Sequence, residues 1–285
     1  MNRIMKVIAV SAAMLALVGA CDLFKQDVAV SFELTDAPID PALVSKVEVT
    51  VSSVAVNESE DANIADGDGS WIVTAISPPV VLDLLTLQNG IAAALGDALV
   101  VKGGTQINQI RLGVDSVLIT ETDSSEIVAS IPSRTGLKIV NAFDVPQSGA
   151  VTITIDFDVR KSVVFQSGPG TYIVRPVLRA VVDGEAATIR GTTPLGPDGT
   201  IVYAYANGSW VDTEATTPNA DGLYYTGAYT SALAGDDGTF TLAFLDAGTY
   251  DLVAACPTTN AVLATLSDVA VTAGQTLVNQ NPVAP

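Results

Sequence analysis

Apolar residues alternate with polar or small residues along most of the chain, and this period of two predicts β-strands. The alternation is clear over residues 28–34, 110–114 and 151–157. Between Val47 and Val56 the apolar phase changes at Ser52–Ser53, so we expect a bulge or a crossover at that point. Abundant Val and Thr, with only 15% charged residues, favour strands over helices. The pattern therefore predicts an all-β fold.

Two segments depart from the alternation. Pro78–Pro79 is expected to end one strand, because proline cannot donate to a sheet ladder, and residues 80–87 are expected to form a separate buried strand. Residues 88–98 are expected to form one short helix, since their alanines have high helix propensity and their larger apolar residues share a face.

The first 21 residues have the features of a bacterial lipoprotein signal. Arg3 and Lys6 supply a positive start, and residues 7–18 form an apolar run too short to span a bilayer. Residues 17–21 then resemble the lipobox of bacterial lipoproteins. The resemblance implies cleavage after residue 20 and a diacylglycerol on the thiol of Cys21. The alternative is an ordinary secretory signal in which this cysteine is incidental.

Charge and composition restrict the chemistry. Removal of residues 1–20 leaves 11 basic and 31 acidic residues, a net charge of −20, which should repel nucleic acid and anionic membrane surfaces. The lipid would then hold the protein at a membrane without electrostatic help. The chain has no histidine, which excludes Ser-His-Asp and Cys-His catalysis and most zinc sites. We therefore expect a protein that is not an enzyme.

A change of composition near residues 183–185 predicts a domain boundary. The expected order is a signal peptide (1–20), a tether (21–26), a first β-sandwich (27–183) that contains the short helix, and a second β-sandwich (184–285). The fold class is thus all-β, with two β-sandwich domains in tandem.

Several short motifs occur in order through the first sandwich. They are residues 34–38, 83–85, 109–112, 132–133, 136–138, 156–158, 161–162 and 175–178. Together they resemble a family of bacterial lipoproteins named only as domain of unknown function 4382, over roughly residues 27–183. The resemblance implies a fold and a location in the cell envelope, but no chemistry.

The last hundred residues resemble the carboxypeptidase regulatory-like, transthyretin-like β-sandwich. The resemblance rests on a Gly-x-Phe motif that begins at Gly238 and a Gly-x-Tyr motif that begins at Gly248. It implies that residues 246–248 form a turn that joins two strands. It also implies core positions for five residues: Phe240, Leu242, Tyr250, Leu252 and Val253.

Residues 57–70 form an acidic loop. Asp61, Asp66 and Asp68 could offer oxygen ligands to calcium, which is the one cofactor that we consider. Their spacing does not match an EF-hand, and we favour a solvated hairpin tip.

Asp156 and Asp158 flank Phe157, so both carboxylates are expected on one face of a strand, where Lys161 and Arg175 could pair with them. This arrangement could be an ion site or a carboxylate pair for hydrolysis. We favour an outward polar face with surface ion pairs, each contributing about 0–1 kcal/mol.

Single residues carry the remaining predictions. Asp36 stands at a strand end and is expected to orient a loop by accepting backbone N–H groups; contact with a ligand is the alternative. Cys256 is expected to be a small buried hydrophobic residue. Trp210, Tyr224 and Tyr225 lie in a polar stretch that could be exposed and stack on a sugar, although most aromatic residues of a sandwich belong to its core.

The sequence thus favours a lipid-anchored protein of the cell envelope, in the outer rather than the inner membrane. Its expected role is non-catalytic: a binding, adhesion or scaffold module for an unidentified protein or polysaccharide. The alternative is a carbohydrate- or calcium-binding accessory lipoprotein, and a carboxylate-based hydrolase comes third.

Overall fold

The computed structural model describes residues 25–38, 44–61, 64, 69–131 and 136–284. Strands dominate this part of the chain and form two sandwiches in sequence, so the predicted all-β, two-sandwich fold is confirmed. None of the helices found there has the length and apolar character needed to span a bilayer.

The first sandwich packs two sheets face to face. One sheet consists of β1 (Asp27–Ala37), β4 (Ala93–Ala94), β5 (Leu99–Lys102), β9 (Ala150–Asp158) and β12 (Leu178–Val182). Its order is β12-β9-β1, and the short strands β4 and β5 both pair with the other edge of β1. Strands β1 and β9 run parallel, so both end at the same edge of the sandwich. That edge is where the second sandwich meets the first.

The other sheet of the first sandwich is antiparallel and has the order β3-β2-β6, with β7 and β8 both paired to β6. Its members are β2 (Val44–Asn57), β3 (Ile72–Asp83), β6 (Gln106–Glu121), β7 (Glu126–Val128) and β8 (Leu137–Asp144). After β9 the chain forms one turn of helix, α1 (Val159–Ser162), and a separate hairpin of β10 (Val163–Gln166) and β11 (Thr171–Val174).

The period of two in the sequence fixes which residues enter this core. Alternate residues of β1, from Val28 to Leu34, are at most 3% exposed. Burial of each such side chain contributes about 1.5–3 kcal/mol. In β2 the pairing register shifts between Val51 and Ser53, so the predicted bulge is confirmed.

The prediction that Pro78–Pro79 separates two strands is wrong. Both prolines lie inside β3, which is an edge strand and can therefore accommodate residues that lack an N–H donor. The pairing of β3 with β2 is interrupted at the prolines. Val51 of β2 pairs with Val80, and the next pair in the register is Ser53 with Ala75, so residues 76–79 of β3 have no partner in β2. Residues 80–83 are at least partly exposed, and the chain then enters a 3₁₀ turn (Leu84–Thr86) instead of continuing as a buried strand.

The short helix is also misplaced in the prediction. Residues 88–98 form turns and β4, whereas the helix of the first sandwich is α1. Asn89, Gly90 and Gly96 adopt positive φ, which an α-helix cannot accommodate. The backbone of this segment instead bonds to β1: the Leu95 N–H donates to the Phe32 carbonyl over 2.8 Å.

The second sandwich consists of one three-stranded and one four-stranded sheet, ordered β16-β13-β19 and β15-β14-β17-β18. The strands are β13 (Ala187–Thr192), β14 (Ile201–Ala206), β15 (Thr230–Leu233), β16 (Thr239–Leu245), β17 (Gly248–Ala255), β18 (Val262–Val271) and β19 (Thr276–Leu277). The predicted turn at residues 246–248 joins β16 to β17, and it crosses from one sheet to the other. The five predicted core residues are all at most 4% exposed, but Val253 packs on the outer face of the four-stranded sheet and not between the two sheets.

The four-stranded sheet of the second sandwich is buried on both faces. Val202 and Ala204 of β14 point into the sandwich, whereas Tyr203 and Tyr205 point the other way and are also buried. The segment 207–229, which contains a one-turn helix α2 (Thr213–Thr216), covers this outer face. A second, smaller core therefore forms outside the sandwich, next to the junction with the first sandwich.

The closest backbone approach in the second sandwich gives a test of its packing. A Cβ at Gly191 would lie 1.7 Å from the carbonyl oxygen of Gln280, in the segment that closes the sandwich. We expect Gly191→Ala to lower the free energy of unfolding by about 1–3 kcal/mol, measured by urea denaturation. Gly184→Ala is the matched control, because nothing lies within 4 Å of its added Cβ. Equal stability of the two variants would contradict this packing.

Candidate functional site

Five charged side chains of the first sandwich gather where the second sandwich packs against it, and we call them the junction cluster. They are Asp156, Asp158, Arg160, Lys161 and Arg179. Their side chains are between 5% and 18% exposed. The expectation of an outward polar face with surface ion pairs is therefore wrong, because the second sandwich covers this edge.

Asp156 and Arg179 form the most direct pair of the cluster. The two residues face each other across β9 and β12, and Arg179 Nη2 lies 2.7 Å from Asp156 Oδ2. The guanidinium also stacks over the ring of Tyr229 at 4.6 Å and donates to the carbonyl oxygen of Phe244. Burial raises the pKa of Asp156, and the positive charge of Arg179 opposes that rise.

Asp158 organises the other half of the cluster through α1. Its Oδ1 accepts a hydrogen bond of 3.0 Å from the Lys161 N–H and so caps the helix. Its Oδ2 lies 3.1 Å from Lys161 Nζ and 3.8 Å from Arg160 Nη2. One carboxylate thus holds two cations at the start of a single helical turn.

Each cation of the junction cluster also bonds to the backbone of the second sandwich. Arg160 donates to the Tyr224 carbonyl over 2.8 Å, Lys161 to that of Ala228, and Arg179 to that of Phe244. A buried cation needs such acceptors, since desolvation without them is costly. The cluster therefore fixes the position of the second sandwich on the first.

Two sequence predictions about these charges need correction. Arg175 pairs with Asp221 of the second sandwich instead of with Asp156 or Asp158, and this pair is half-exposed. The carboxylate of Asp36 does accept a backbone N–H, as expected, but the donor is Val159, 123 residues further along the chain. Asp36 therefore ties β1 to α1 and does not shape a local turn.

Asp36 is the most perturbed carboxyl group of the junction. It is 6% exposed, and its partner in the pairing of β1 with β9 is Phe157, which stands between Asp156 and Asp158. Burial raises its pKa well above the usual range, the bond from Val159 lowers it, and the two neighbouring carboxylates raise it further. The folded protein therefore holds a proton on Asp36 more tightly than the unfolded chain does.

A cleft of about 530 Å³ lies between the sandwiches next to this cluster. Phe165 and Tyr172 line it from the first sandwich, and Tyr203 and Tyr224 line it from the second. Tyr172 also donates to Glu121 Oε1 over 2.8 Å, which holds a carboxylate at the wall. The volume is in the range of small-ligand sites, about 300–1,000 Å³, and four of the fifteen lining residues are aromatic.

The three predicted sugar-contacting residues have different surroundings. Tyr225 is fully buried, with its ring stacked between Tyr203 at 4.3 Å and Trp210 at 5.6 Å, so it offers no face to a ligand. This part of the prediction is wrong, because the outer face of the four-stranded sheet needs a core of its own. Tyr224 lines the cleft, and Trp210 lines a second recess beside Asn260. These two remain predictions.

The other predicted sites have separate outcomes. Cys21, Asp66 and Asp68 lie outside the described residues, so lipidation and the calcium loop stay predictions. Asp61 is exposed, and in the described part of the chain no three His, Cys, Asp or Glu side chains could together hold a metal ion. Cys256 is 1% exposed, which confirms that it is a buried residue.

Sequence reasoning missed Arg160, Phe165, Arg179 and Asn260. For Arg179 the sequence offers a weak indication: it is a basic residue four positions after Arg175, shortly before the predicted domain boundary at residues 183–185. The others carry none, because their role arises only from the contact between the two sandwiches.

Comparison with known families identifies the first sandwich. The family model described as "Domain of unknown function (DUF4382)" matches residues 28–176, which is more than half of the chain. The chain belongs to the DUF4382 family. The matched region contains Asp156, Asp158, Arg160 and Lys161, so most of the junction cluster lies in the DUF4382 domain. No curated protein matches the chain.

Solved structures resemble this DUF4382 protein only distantly. The chain covers 34% of the Bacillus anthracis TIE protein, with 90% of this chain aligned, 7% identity and a TM-score of 0.22. The shaft pilin SpaA of Lactobacillus rhamnosus GG aligns over 92% of this chain and 99% of its own, at 13% identity and a TM-score of 0.21. BcpA, the major pilin subunit of Bacillus cereus, aligns over 91% of this chain and 71% of its own, at 8% identity and a TM-score of 0.20. Scores at this level carry no argument about function.

The energetic weight of the junction cluster can be tested at Arg179. Arg179→Met would leave the buried Asp156 carboxylate without its cation, so we expect a loss of about 3–5 kcal/mol in the free energy of unfolding. Lys102→Met removes an ion pair with Asp27 whose side chains are more than 60% exposed, and it should cost less than about 1 kcal/mol. Urea denaturation measures both variants. Similar losses would show that the buried pair contributes no more than a surface pair.

The raised pKa of Asp36 predicts a pH dependence. Its stabilising contribution is complete below the unfolded carboxyl pKa and decreases as the pH rises through the folded pKa. Asp36→Asn keeps an oxygen that can accept from Val159 but cannot ionise. We therefore expect the melting temperature of this variant, relative to the native protein, to increase from pH 5 to pH 8. A difference that is the same at all pH values would contradict the assignment.

Proposed function

We propose that this protein is a lipid-anchored, non-catalytic binding module of the cell envelope, and that its ligand site is the cleft between the two sandwiches. One observation carries the proposal: both sandwiches supply aromatic side chains to a single cleft of about 530 Å³. The junction cluster supports it, since it holds the two walls in a fixed relation and so prepares the cleft for a ligand.

A non-catalytic role agrees with the burial and ion pairing of Asp156 and Asp158. Asp156 is engaged by Arg179 and Asp158 by Lys161, beneath the second sandwich. A general acid or base must reach its substrate within hydrogen-bond distance, and the side chains of Asp156 and Asp158 are only 5% and 8% exposed. The absence of histidine from the sequence removes the commonest alternative base.

The proposed lipid anchor determines which side of the protein, and therefore of the cleft, faces the bilayer. Five residues, 22–26, separate Cys21 from the first residue of β1. From there β1 extends over 11 residues, about 35 Å, to the edge where the second sandwich packs. A lipid on Cys21 would thus leave the cleft on the side away from the bilayer. We propose that this bilayer is the outer membrane.

The second sandwich is proposed to be a carboxypeptidase regulatory-like domain. Its two sheets of three and four strands, and the sheet-to-sheet turn at residues 246–248, support that proposal. In this protein it would serve as the second wall of the cleft and as the acceptor of the three junction cations.

In-cell photocrosslinking tests the proposal. Photoreactive benzoylphenylalanine in place of Phe165, which is 51% exposed and lines the cleft, should give one dominant adduct in intact cells. The same group in place of Val100, which is 57% exposed on β5 near the opposite edge, is the matched control and should give none. Cys21→Ser should move the protein from the membrane to the soluble fraction and reduce the Phe165-site adduct.

Two results would overturn the proposal. Equal labelling from both positions would show that the cleft holds no specific ligand. Unchanged membrane partitioning of Cys21→Ser would remove the lipid anchor and the envelope location that depends on it.

A further inference from the structure

We infer that the cleft binds an extended, basic peptide of a partner protein, which adds a third strand to the hairpin of β10 and β11. This inference rests on the proposed function and names its ligand class. It depends on the backbone groups that β10 leaves unpaired at the wall of the cleft, next to an exposed phenylalanine.

Strand β10 has a strand partner on one side. It forms a two-stranded sheet with β11, and its residues Val163 and Phe165 line the cleft. The other edge of β11 is occupied, since Ser130 donates to the Tyr172 carbonyl over 2.9 Å and accepts from the Val174 N–H over 2.8 Å. Within the described residues, the open edge of this hairpin is therefore that of β10.

The pairing register shows which backbone groups of β10 point outward. In an antiparallel pair, successive residues turn their N–H and C=O groups to opposite sides of the strand. Tyr172 and Val174 turn theirs towards Ser130, so their cross-strand partners Phe165 and Val163 turn theirs away from β11. The Val163 N–H closes the turn of α1. Among the described residues nothing bonds to the N–H and C=O of Phe165, which leaves both for another chain.

Phe165 also supplies an apolar contact for an added strand. Its side chain is 51% exposed, although its ring lies 5.1 Å from that of Tyr172. A residue paired with Phe165 would point to the same face of the enlarged sheet, so its side chain would cover the exposed part of the ring. Main-chain bonds and side-chain burial would thus act at one position, which is how open strand edges bind extended peptides.

The arrangement of donor and acceptor distinguishes a peptide from a saccharide. The N–H and C=O of Phe165 point in one direction, and a single residue of an antiparallel chain satisfies both of them. A sugar would instead need an open aromatic face on which to stack. The deeper ring of the cleft offers none, because Tyr203 is 4% exposed and the Arg160 guanidinium lies over it.

The acidic wall of the cleft favours basic residues in the peptide. Glu121 accepts hydrogen bonds from the hydroxyl groups of Tyr172 and Ser125, which orient its carboxylate without neutralising it. Asp221 adds a second carboxylate from the other sandwich. The mature chain would carry a net charge of −20, so a basic peptide would be attracted at long range as well.

An anionic ligand finds no open donor in the arginine of this lining. Arg160 donates through Nη1 to the Tyr224 carbonyl. Its Nε and Nη2 atoms have no hydrogen-bond partner among the described residues, but both are buried beneath the surface of the cleft. A ligand that approaches the cleft therefore meets the carboxylates first.

Selection of a phage-displayed library of random heptapeptides on the native protein tests the inference. We expect the enriched peptides to combine alternating apolar residues with Lys or Arg. The most enriched peptide is then synthesised with a fluorescent label, and fluorescence polarisation measures its affinity. Methylation of its backbone nitrogens, one at a time, should weaken binding about tenfold at alternate positions and leave it unchanged at those between, because only alternate N–H groups face β10.

Two variants of Phe165 separate the backbone from the side chain. Phe165→Ala removes the ring and keeps the N–H, so it should weaken binding of the peptide about threefold. Phe165→Pro removes the N–H as well. Because that N–H points away from β11, the proline leaves the hairpin ladder intact, and this variant should bind about tenfold more weakly than Phe165→Ala. The melting temperatures of both variants are measured, and the methylated peptides test the same bond on the native protein if the proline variant does not fold.

Four results would overturn the inference: no enriched peptide, enrichment of acidic peptides, a methylation series without a period of two, or equal binding by two folded Phe165 variants. If the Phe165-site photocrosslink then identifies a saccharide or another ligand, the proposed function stands without the peptide. If it gives no adduct, both fail.

Discussion

Three cations of the first sandwich reach acceptors that only the second sandwich supplies, and the rest of the structure depends on this contact. Arg160, Lys161 and Arg179 share two carboxylates within their own domain, which leaves guanidinium and ammonium donors to be satisfied elsewhere. Within the described residues, Nε and Nη2 of Arg160 and Nε of Arg179 make no hydrogen bond, whereas backbone carbonyls of residues 224, 228 and 244 each accept from one of these cations. Without them, the same charges would be exposed to water and the edge of the sandwich would be an ordinary polar surface. The second sandwich thus converts surface charges into a buried, directional joint.

This joint explains why a cleft persists beside it. Hydrophobic contacts between two domains are non-directional and allow sliding, whereas hydrogen bonds to fixed carbonyls specify one relative position. Tyr203 illustrates the coupling: its ring packs on Tyr225 within the second sandwich and against the Arg160 guanidinium at 5.2 Å. A side chain that lines the cleft is therefore held by both domains. The same contact that positions the sandwiches also determines the shape of the site between them.

The sequence predicts what depends on local periodicity. The strand phases and the bulge at Ser52–Ser53 follow from alternation alone, because one face of each strand must be buried. The helix at residues 88–98 fails for the opposite reason. Alanine propensity is a weak local preference, and the open edge of β1 offers this segment backbone partners that a helix cannot match. The prediction that the prolines of β3 end a strand fails for a similar reason. A strand can contain proline when it lies at the edge of a sheet, and its place in the sheet depends on the whole fold.

The candidate site is less predictable, because its residues are defined by the contact between domains. Asp156 and Asp158 were correctly placed on one face of a strand, yet that face could not be recognised as buried without knowledge of what covers it. Tyr225 shows the complementary case. A polar, glycine-containing stretch suggested exposure, but β14 presents tyrosines on its outer face, and those rings must be covered by the nearest available segment. An outward-facing aromatic residue on a strand therefore indicates a missing layer of structure, and in this chain residues 207–229 provide that layer. The binding surface follows from this second layer, because it brings Tyr224 and Trp210 to the rims of two depressions.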